Sequence, residues 1–216
     1  MVHTLLEDLK EQQIQLIAVS KRKPEADILE FYHMGHRAFG ENRVQELVDK
    51  QESLPKDIEW HMIGHLQTNK VKYIAPFVHL IHSFDSIRLI KEVNKQGERL
   101  GQVIPGLLQF KIAEEDSKYG FAQEEAIAFL DSADFQNLKF VEVHGVMGMA
   151  TFTDDEAQVR GEFKRLKHIF DTLKATHFSG KPYFKEVSMG MSGDYNIAIA
   201  EGSTMVRIGS LLFGPR

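Results

Sequence analysis

A lysine stands at the end of the first apolar run of the chain, where its amine could form a Schiff base. Lys21 closes the stretch QLIAVSK. Because alternate residues of a strand face opposite sides, Ile17, Val19 and Lys21 share one face. A lysine amine that is partly desolvated or lies beside other cations has a lowered pKa and can attack a carbonyl group. A solvated surface lysine is the alternative interpretation of Lys21. Lys23 is the rival nucleophile, and its place beyond the run, next to a proline, predicts that it is exposed.

Two short segments rich in glycine and serine lie near the C-terminal end and could hold a phosphate group. The second is Gly209-Ser210, which closes the last apolar run. Small residues let the backbone approach an anion, and the amides at the start of a helix point towards it. Each segment alone is more often a structural turn, so only the pair indicates a phosphate site. The first segment, SMGMSG, supplies the candidate ligands Ser188, Met189, Gly190 and Ser192.

An arginine lies inside an otherwise apolar run. Val206 and Ile208 are predicted to face a helical layer, which leaves Arg207 on the opposite side of the strand. A buried charge is costly unless it is paired. Arg207 is therefore expected either to pair with a carboxylate or to face a ligand.

Other chemistry has weaker support. His61 and His65 are four residues apart, but on a strand and turn rather than on a helix, and no cysteine or obvious carboxylate joins them. No metal site is predicted from them. Ser20 and Ser192 have no clear histidine partner for a hydrolase triad. No catalytic residue is assigned.

Short apolar runs alternate with helical patterns from end to end, which is typical of a parallel α/β fold. Eight such runs predict a (β/α)8 barrel, whose active sites lie at the C-terminal ends of the strands, and an open doubly wound sheet is the alternative. No linker interrupts residues 1–216, so one domain is expected, with a short helix over residues 1–13. The predicted strands cover 15–20, 36–40, 58–64, 78–84, 104–112, 138–149, 183–189 and 204–211. The predicted helices cover 24–34, 42–52, a segment from 69, 85–100, 123–130, 154–174 and 193–200.

Composition excludes several classes of protein. A net charge of −5 over 216 residues argues against a general nucleic-acid binder. Because the chain has no cysteine, disulfides, thiolate metal sites and cysteine nucleophiles are excluded. No signal-peptide pattern and no apolar run of about 18 residues is present, so a cytoplasmic location is expected.

Six stretches occur in order along the chain: AVSKRKP (18–24), FGENRVQE (39–46), EWHMIGHLQTNK (59–70), HSFDS (82–86), SKYGF (117–121) and SMGMSGDYNIAIAEGSTMVRIGSLLFG (188–214). Together they resemble the YggS/PROSC family of pyridoxal-phosphate homeostasis proteins. The last stretch and the one around WHMIGHLQTNK are the most specific. The family resembles the alanine racemase N-terminal domain, a single TIM barrel without the C-terminal β domain.

The resemblance implies that the cofactor is pyridoxal 5′-phosphate, bound to Lys21 as a Schiff base. Arg207 would approach the pyridine nitrogen, and Asn42 and His65 would line the cofactor face. The chain departs from the family at Phe110-Lys111, where valine-asparagine is common, and over residues 146–149, where a leucine-methionine-threonine run is usual. The residues implied around the phosphate are Ser188, Ser192, Gly209 and Ser210, with Met189 and Gly190 in the same loop.

The resemblance favours a cofactor carrier over an enzyme. An arginine beside the pyridine nitrogen disfavours ring protonation and therefore argues against an aminotransferase or decarboxylase. A two-base racemase needs a second base, and none of the tyrosines lies in an obvious catalytic setting. The leading hypothesis is a monomer that limits free cofactor and transfers it to apo-enzymes in vitamin B6 homeostasis. A weak amino-acid racemase that uses Lys21 as one base is the alternative, and an interaction protein with a degenerate pocket is the third. The tyrosines considered are Tyr32, Tyr73, Tyr119, Tyr183 and Tyr195.

Overall fold

Eight parallel strands close into a barrel in the order in which they occur along the chain, and β8 pairs with β1. The computed structural model describes residues 2–114 and 119–214. Ser117 and Lys118 of the SKYGF stretch lie outside these ranges, as does Met1. The closed barrel confirms the predicted fold, and the open sheet is wrong. The strands are β1 Gln15–Val19, β2 Ala38–Glu41, β3 Glu59–Met62, β4 Leu80–Phe84, β5 Ile104–Gln109, β6 Val141–Met147, β7 Glu186–Ser188 and β8 Met205–Ile208.

The helices form the outer layer, and several begin at caps that the sequence indicates. Ser86 accepts a hydrogen bond from the Leu89 amide at the start of α5, and Asp155 accepts two amides at the start of α8. No helix in the described part of the chain combines the length and apolarity needed to cross a bilayer. The helices are α1 Val2–Glu11, α2 Glu25–His33, α3 Val44–Ser53, α4 Val71–Ile74, α5 Ile87–Leu100, α6 Gln123–Leu130, α7 Ala133–Gln136, α8 Glu156–Thr176, α9 Tyr195–Ala200 and α10 Ser210–Phe213.

Strand alternation divides the apolar side chains between two cores. Leu16, Ala18, Val206 and Ile208 belong to the large core between the barrel and the helices. The smaller core fills the barrel itself, and Ile17 belongs to it, as predicted for the face that Lys21 shares. The other buried members of the inner core are Ala38, Leu80, Leu107, Met147 and Met205.

The predicted elements differ from the structure mainly in their ends. β8 stops at Ile208 rather than residue 211, because Gly209 turns the chain into α10. The helix predicted from residue 69 is a 3₁₀ turn over Thr68–Lys70 followed by the four-residue α4. Pro76 follows α4 closely and favours its early end, because proline has no backbone N–H to continue the helical hydrogen bonds. The short α7 was not predicted.

Candidate functional site

Lys21 lies at the C-terminal mouth of the barrel, as the strand pattern predicts. The β1–β2 register pairs Val19 with Gly40, and the Ser20 amide donates to the Gly40 carbonyl at 3.1 Å. Continuing that register brings Lys21, which is half-buried, level with Asn42. The rival Lys23 is half-buried rather than exposed, which corrects the prediction. Its Nζ donates to the Phe213 carbonyl at 2.6 Å, so its ammonium is held at the C-terminal segment.

The loop that carries Lys21 is anchored by a buried charged cluster. Lys50 is only 6% exposed, and its Nζ donates to the Ser20 carbonyl at 2.8 Å. It also donates to Glu41 Oε1 at 2.8 Å and Glu46 Oε1 at 2.7 Å. The Glu46 carboxylate accepts the Arg22 amide as well, where the backbone has the unusual φ of 60°. Sequence reasoning missed this cluster, although the i,i+4 spacing of Glu46 and Lys50 was a signal for part of it.

Glu41 is the most buried member of the cluster. Its side chain is fully buried, and Oε1 also accepts the Ser20 hydroxyl at 2.7 Å. Burial raises the pKa of Glu41 above its ordinary value of 4.5, and the charge of Lys50 opposes that rise. The cluster therefore holds the residue before Lys21 through both its carbonyl and its hydroxyl group.

Arg207 lies on the inner side of β8, as predicted, and is 4% exposed. Its Nη1 donates to Ser188 Oγ at 2.5 Å and its Nη2 to the Gly148 carbonyl at 3.1 Å. Burial lowers the pKa of Arg207 to about 10, and the charge of Asp194 acts in the opposite direction. Arg207 therefore remains a cation at neutral pH, held by neutral oxygen acceptors.

The Ser188 side chain has a different place from the one predicted. Its hydroxyl is fully buried and bonds to Arg207 and to His82 Nδ1, at 2.9 Å, rather than lying at a phosphate cradle. The His82 Nε2 atom lies 2.9 Å from His61 Nδ1. The Met189 side chain packs in the outer core, so only its backbone could approach a ligand. Sequence reasoning considered His61 only beside His65 and did not single out His82, because neither histidine lies near Arg207 in the sequence.

Burial keeps both histidines of this chain of hydrogen bonds neutral. It lowers the pKa of His82 well below 6.5, and the nearby charges of His61 and Arg207 add to the effect. Burial likewise lowers the pKa of His61 well below 6.5, with smaller contributions from His79 and His36. A neutral imidazole donates a hydrogen bond from one nitrogen and accepts one at the other, so each ring can take part in two hydrogen bonds.

The loops after β7 and β8 come together, as the phosphate prediction requires. Ser192 Oγ accepts the Gly209 amide at 3.3 Å, and Gly190 has a φ of 93°, which favours glycine. Within the described residues, the amides of Ser192 and Gly193 donate to no protein group. A Cβ added at Gly193 would meet none of the described atoms within 4 Å, apart from those of its chain neighbours. Open amides and small residues side by side suit an anion.

Polar groups also surround the rest of the mouth. Asn42 Oδ1 is buried and has no hydrogen-bond partner among the described residues. His65 is exposed at the rim, where its Nδ1 lies 2.6 Å from Asp85 Oδ2. Its ring stacks on Tyr119, with 3.8 Å between the centroids. The sequence pattern indicated no catalytic setting for Tyr119, but the fold places this tyrosine at the mouth.

The two departures from the family pattern have separate consequences. Phe110 is buried in the outer core and Lys111 is exposed. Met147 fills the inner core, and the carbonyl of Gly148 holds Arg207. Met149 is 42% exposed, so it is not core packing. The second departure therefore reaches the arginine through the backbone carbonyl of Gly148.

Comparison with known proteins adds an independent line of evidence. The family model described as "Alanine racemase, N-terminal domain" matches residues 4–216. The pyridoxal phosphate homeostasis protein of Aquifex aeolicus is 39% identical over 204 residues, covering 94% of this chain and 87% of the relative. The human protein of the same name is 37% identical over 222 residues, covering 97% of this chain and 79% of the relative.

Solved structures agree with these relatives. The structure of PipY from Synechococcus elongatus with PLP bound has a TM-score of 0.87 and 34% identity, covering 99% of this chain and all of that one. An alanine racemase of Clostridium difficile has a TM-score of 0.71 at 14% identity, covering 99% of this chain and 55% of that one. The second likeness concerns the fold alone.

Proposed function

The chain belongs to the alanine racemase N-terminal domain family and, within it, to the pyridoxal phosphate homeostasis proteins, and we propose that it carries pyridoxal 5′-phosphate (PLP) as a Schiff base on Lys21. The observation that supports the proposal is that three groups lie at the same, C-terminal end of the barrel: the half-buried Lys21, the buried cation of Arg207 and the open amides of Ser192 and Gly193. PLP supplies an aldehyde with which an amine condenses, releasing water.

The residues of the mouth fit such a ligand. The amides of Ser192 and Gly193, with Gly209 and Ser210 beside them, would hold the phosphate group. Asn42, whose buried Oδ1 has no partner in the described part of the chain, would contact the ligand. Arg207 would face the ring nitrogen and disfavour its protonation, because two cations would then meet. A site of this kind favours holding the cofactor over using it as an electron sink.

The first test is covalent trapping of the cofactor. Wild-type protein incubated with PLP is expected to gain a visible absorption band, and borohydride should fix the label on the peptide that contains Lys21. Lys21→Ala is expected to lose both. Lys23→Ala, which removes the neighbouring ammonium, and Lys111→Ala, which removes an exposed lysine after β5, should retain them. Label on another lysine, or a band that survives in Lys21→Ala, would refute the anchor.

We further propose that the protein is a carrier that transfers PLP to apo-enzymes, rather than an enzyme itself. The support is an apolar rim on the loops of the mouth, made of Tyr119, Met149, Phe152 and Met191. Phe152 is 98% exposed, and such apolar groups often mark surfaces that contact other proteins.

We also predict a cytoplasmic location and a monomeric state. Sedimentation velocity would check the monomeric state.

Transfer can be measured directly with a PLP-dependent apo-enzyme. PLP-loaded wild-type protein should restore the activity of the apo-enzyme faster than PLP-loaded Phe152→Ser protein does. The wild type and the variant should bind PLP with the same affinity. Equal rates for the two variants would show that the rim takes no part. Reactivation by the loaded protein should also be compared with reactivation by free PLP, at the free concentration that is in equilibrium with the loaded protein. If the loaded protein is no faster, the result would argue against direct transfer.

A weak racemase is the second candidate, and one observation favours it. Tyr119 lies at the mouth against His65 and could supply the second base that the sequence did not identify. If the protein racemises alanine, D-alanine should appear from L-alanine at a rate that Lys21→Ala abolishes and Tyr119→Phe lowers. Absence of D-alanine with PLP bound would leave the carrier as the function.

A further inference from the structure

A second cluster of potential ligand groups lies at the N-terminal end of the barrel, opposite Lys21. Glu59 begins β3, His61 follows on the inner side of the same strand, and His79 immediately precedes β4. Each offers one ligand atom, and these atoms all lie within 4.8 Å of one another. Glu59 is half-buried and His79 is exposed, while His61 is fully buried.

The buried histidine gives the cluster a second, independent observation. His61 Nε2 is buried and has no hydrogen-bond partner among the described residues. A buried ring nitrogen without a partner is costly, so it calls for an explanation such as a ligand or an ion. The other nitrogen, Nδ1, is fixed against His82 Nε2 at 2.9 Å. When Nδ1 donates its proton to His82, the lone pair of Nε2 points away from that bond and is available to a metal.

This arrangement matches how proteins orient metal-binding histidines. A ligating imidazole usually makes a hydrogen bond through its second nitrogen, which fixes the ring and its tautomer. Here His82 supplies that partner, and Ser188 and Arg207 continue the chain of hydrogen bonds behind it. Such a chain holds the His61 ring in place more firmly than packing alone would.

We propose that Glu59, His61 and His79 bind a divalent transition metal, with Zn²⁺ as the best fit. Two imidazoles and one carboxylate suit Zn²⁺, whereas Mg²⁺ and Ca²⁺ prefer oxygen ligands alone. A tetrahedral site with bonds of about 2.0–2.1 Å places ligand atoms about 3.3 Å apart. The ligand atoms must therefore move closer together to bind a metal. Most of that movement falls to His79, whose exposed side chain can rotate. A cleft of about 450 Å³, lined in part by Glu59 and His79, would give solvent access to a fourth coordination position.

The test is a Zn²⁺ titration against a chromophoric chelator, with the PLP-loaded protein freed of excess cofactor and of any affinity tag. One Zn²⁺ per chain is expected. His79→Ala and Glu59→Gln, both outside the buried core, should each weaken binding by about tenfold or more. His3→Ala is the matched control, because His3 and Glu7 form an exposed i,i+4 pair 3.4 Å apart that could also attract the ion. This control should bind like the wild type.

A second readout keeps the test independent of folding defects. Thermal melts without metal should show that His79→Ala and Glu59→Gln keep the wild-type Tm. Added Zn²⁺ should raise the Tm of the wild type and of His3→Ala by more than that of the two site variants. The proposal fails if wild-type protein binds no Zn²⁺, if the two variants bind as tightly as wild type, or if His3→Ala abolishes binding.

Discussion

Replacing Lys50 by methionine would leave a buried carboxylate without its cation. Lys50 Nζ lies 2.8 Å from Glu41 Oε1 at the back of the loop that carries Lys21, and the Glu41 side chain is fully buried. Methionine keeps most of the apolar stem, so the change removes the ammonium and its hydrogen bonds rather than the packing. The Ser20 hydroxyl would then be the one remaining donor to Glu41 among the described residues.

The size of the loss follows from proton linkage. Breaking a buried ion pair by removing one partner typically costs about 3–5 kcal/mol. Glu41 can instead fold as a neutral acid, and from its ordinary pKa of 4.5 protonation costs about 3.4 kcal/mol at pH 7 but about 0.7 kcal/mol at pH 5. In the variant, the pKa of Glu41 in the folded state rises further. The unpaired carboxylate therefore destabilises the folded state above pH 4.5, and this destabilisation decreases as the pH falls towards that value.

Urea unfolding at pH 7 and at pH 5, followed by fluorescence and circular dichroism, measures this loss. Lys50→Met should destabilise the protein by about 3 kcal/mol or more at pH 7, and by up to about 2.7 kcal/mol less at pH 5. Adding Glu41→Gln to Lys50→Met should remove most of the pH dependence, because the amide carries no charge. Lys91→Met is the matched control. Its exposed pair with Asp134 should contribute at most about 1 kcal/mol, with little change between the two pH values.

Two results would refute the reasoning. Equal destabilisation by Lys50→Met at both pH values would mean that the loss does not come from an uncompensated carboxylate. A double variant that keeps the full pH dependence would assign the effect to a group other than Glu41.

Three further predictions concern stability and are checked by the same unfolding measurement. Gly145→Ala should destabilise by more than about 2 kcal/mol, because its Cβ would clash with the Glu186 carbonyl oxygen; Gly161→Ala, in α8 with open space around it, should instead stabilise by about 0.5–1 kcal/mol. Asp155→Ala should cost about 1 kcal/mol, because it removes the cap of α8, whereas the exposed neighbour Asp154→Ala should be close to neutral. Phe184→Ala should cost about 3–5 kcal/mol, since that ring is fully buried in an aromatic stack; a loss below 1 kcal/mol would contradict the packing described.

The sequence by itself determined the features that depend on neighbouring residues along the chain. Apolar runs of strand period gave the eight strands in their order, and strand alternation placed Arg207 on the inner face of β8. Ser86 and Asp155 mark the starts of α5 and α8 in the sequence itself, because a cap bonds to amides two or three residues away. The ends of the strands were less certain, since pairing with neighbouring strands decides where a strand stops.

Tertiary structure alone decided which polar groups meet inside the barrel. His82 and Ser188 are 106 positions apart in the sequence, yet their side chains bond across the interior. Ser188 therefore bonds to Arg207 and His82, although the sequence had predicted it at the phosphate loop. The position of Tyr119 at the mouth, against His65, also depends on the tertiary fold. Glu59 and His79 come together at the opposite end, beside a histidine that the sequence had paired with His65. Periodicity is a local property of the chain, whereas these contacts depend on the strand register and the closure of the barrel.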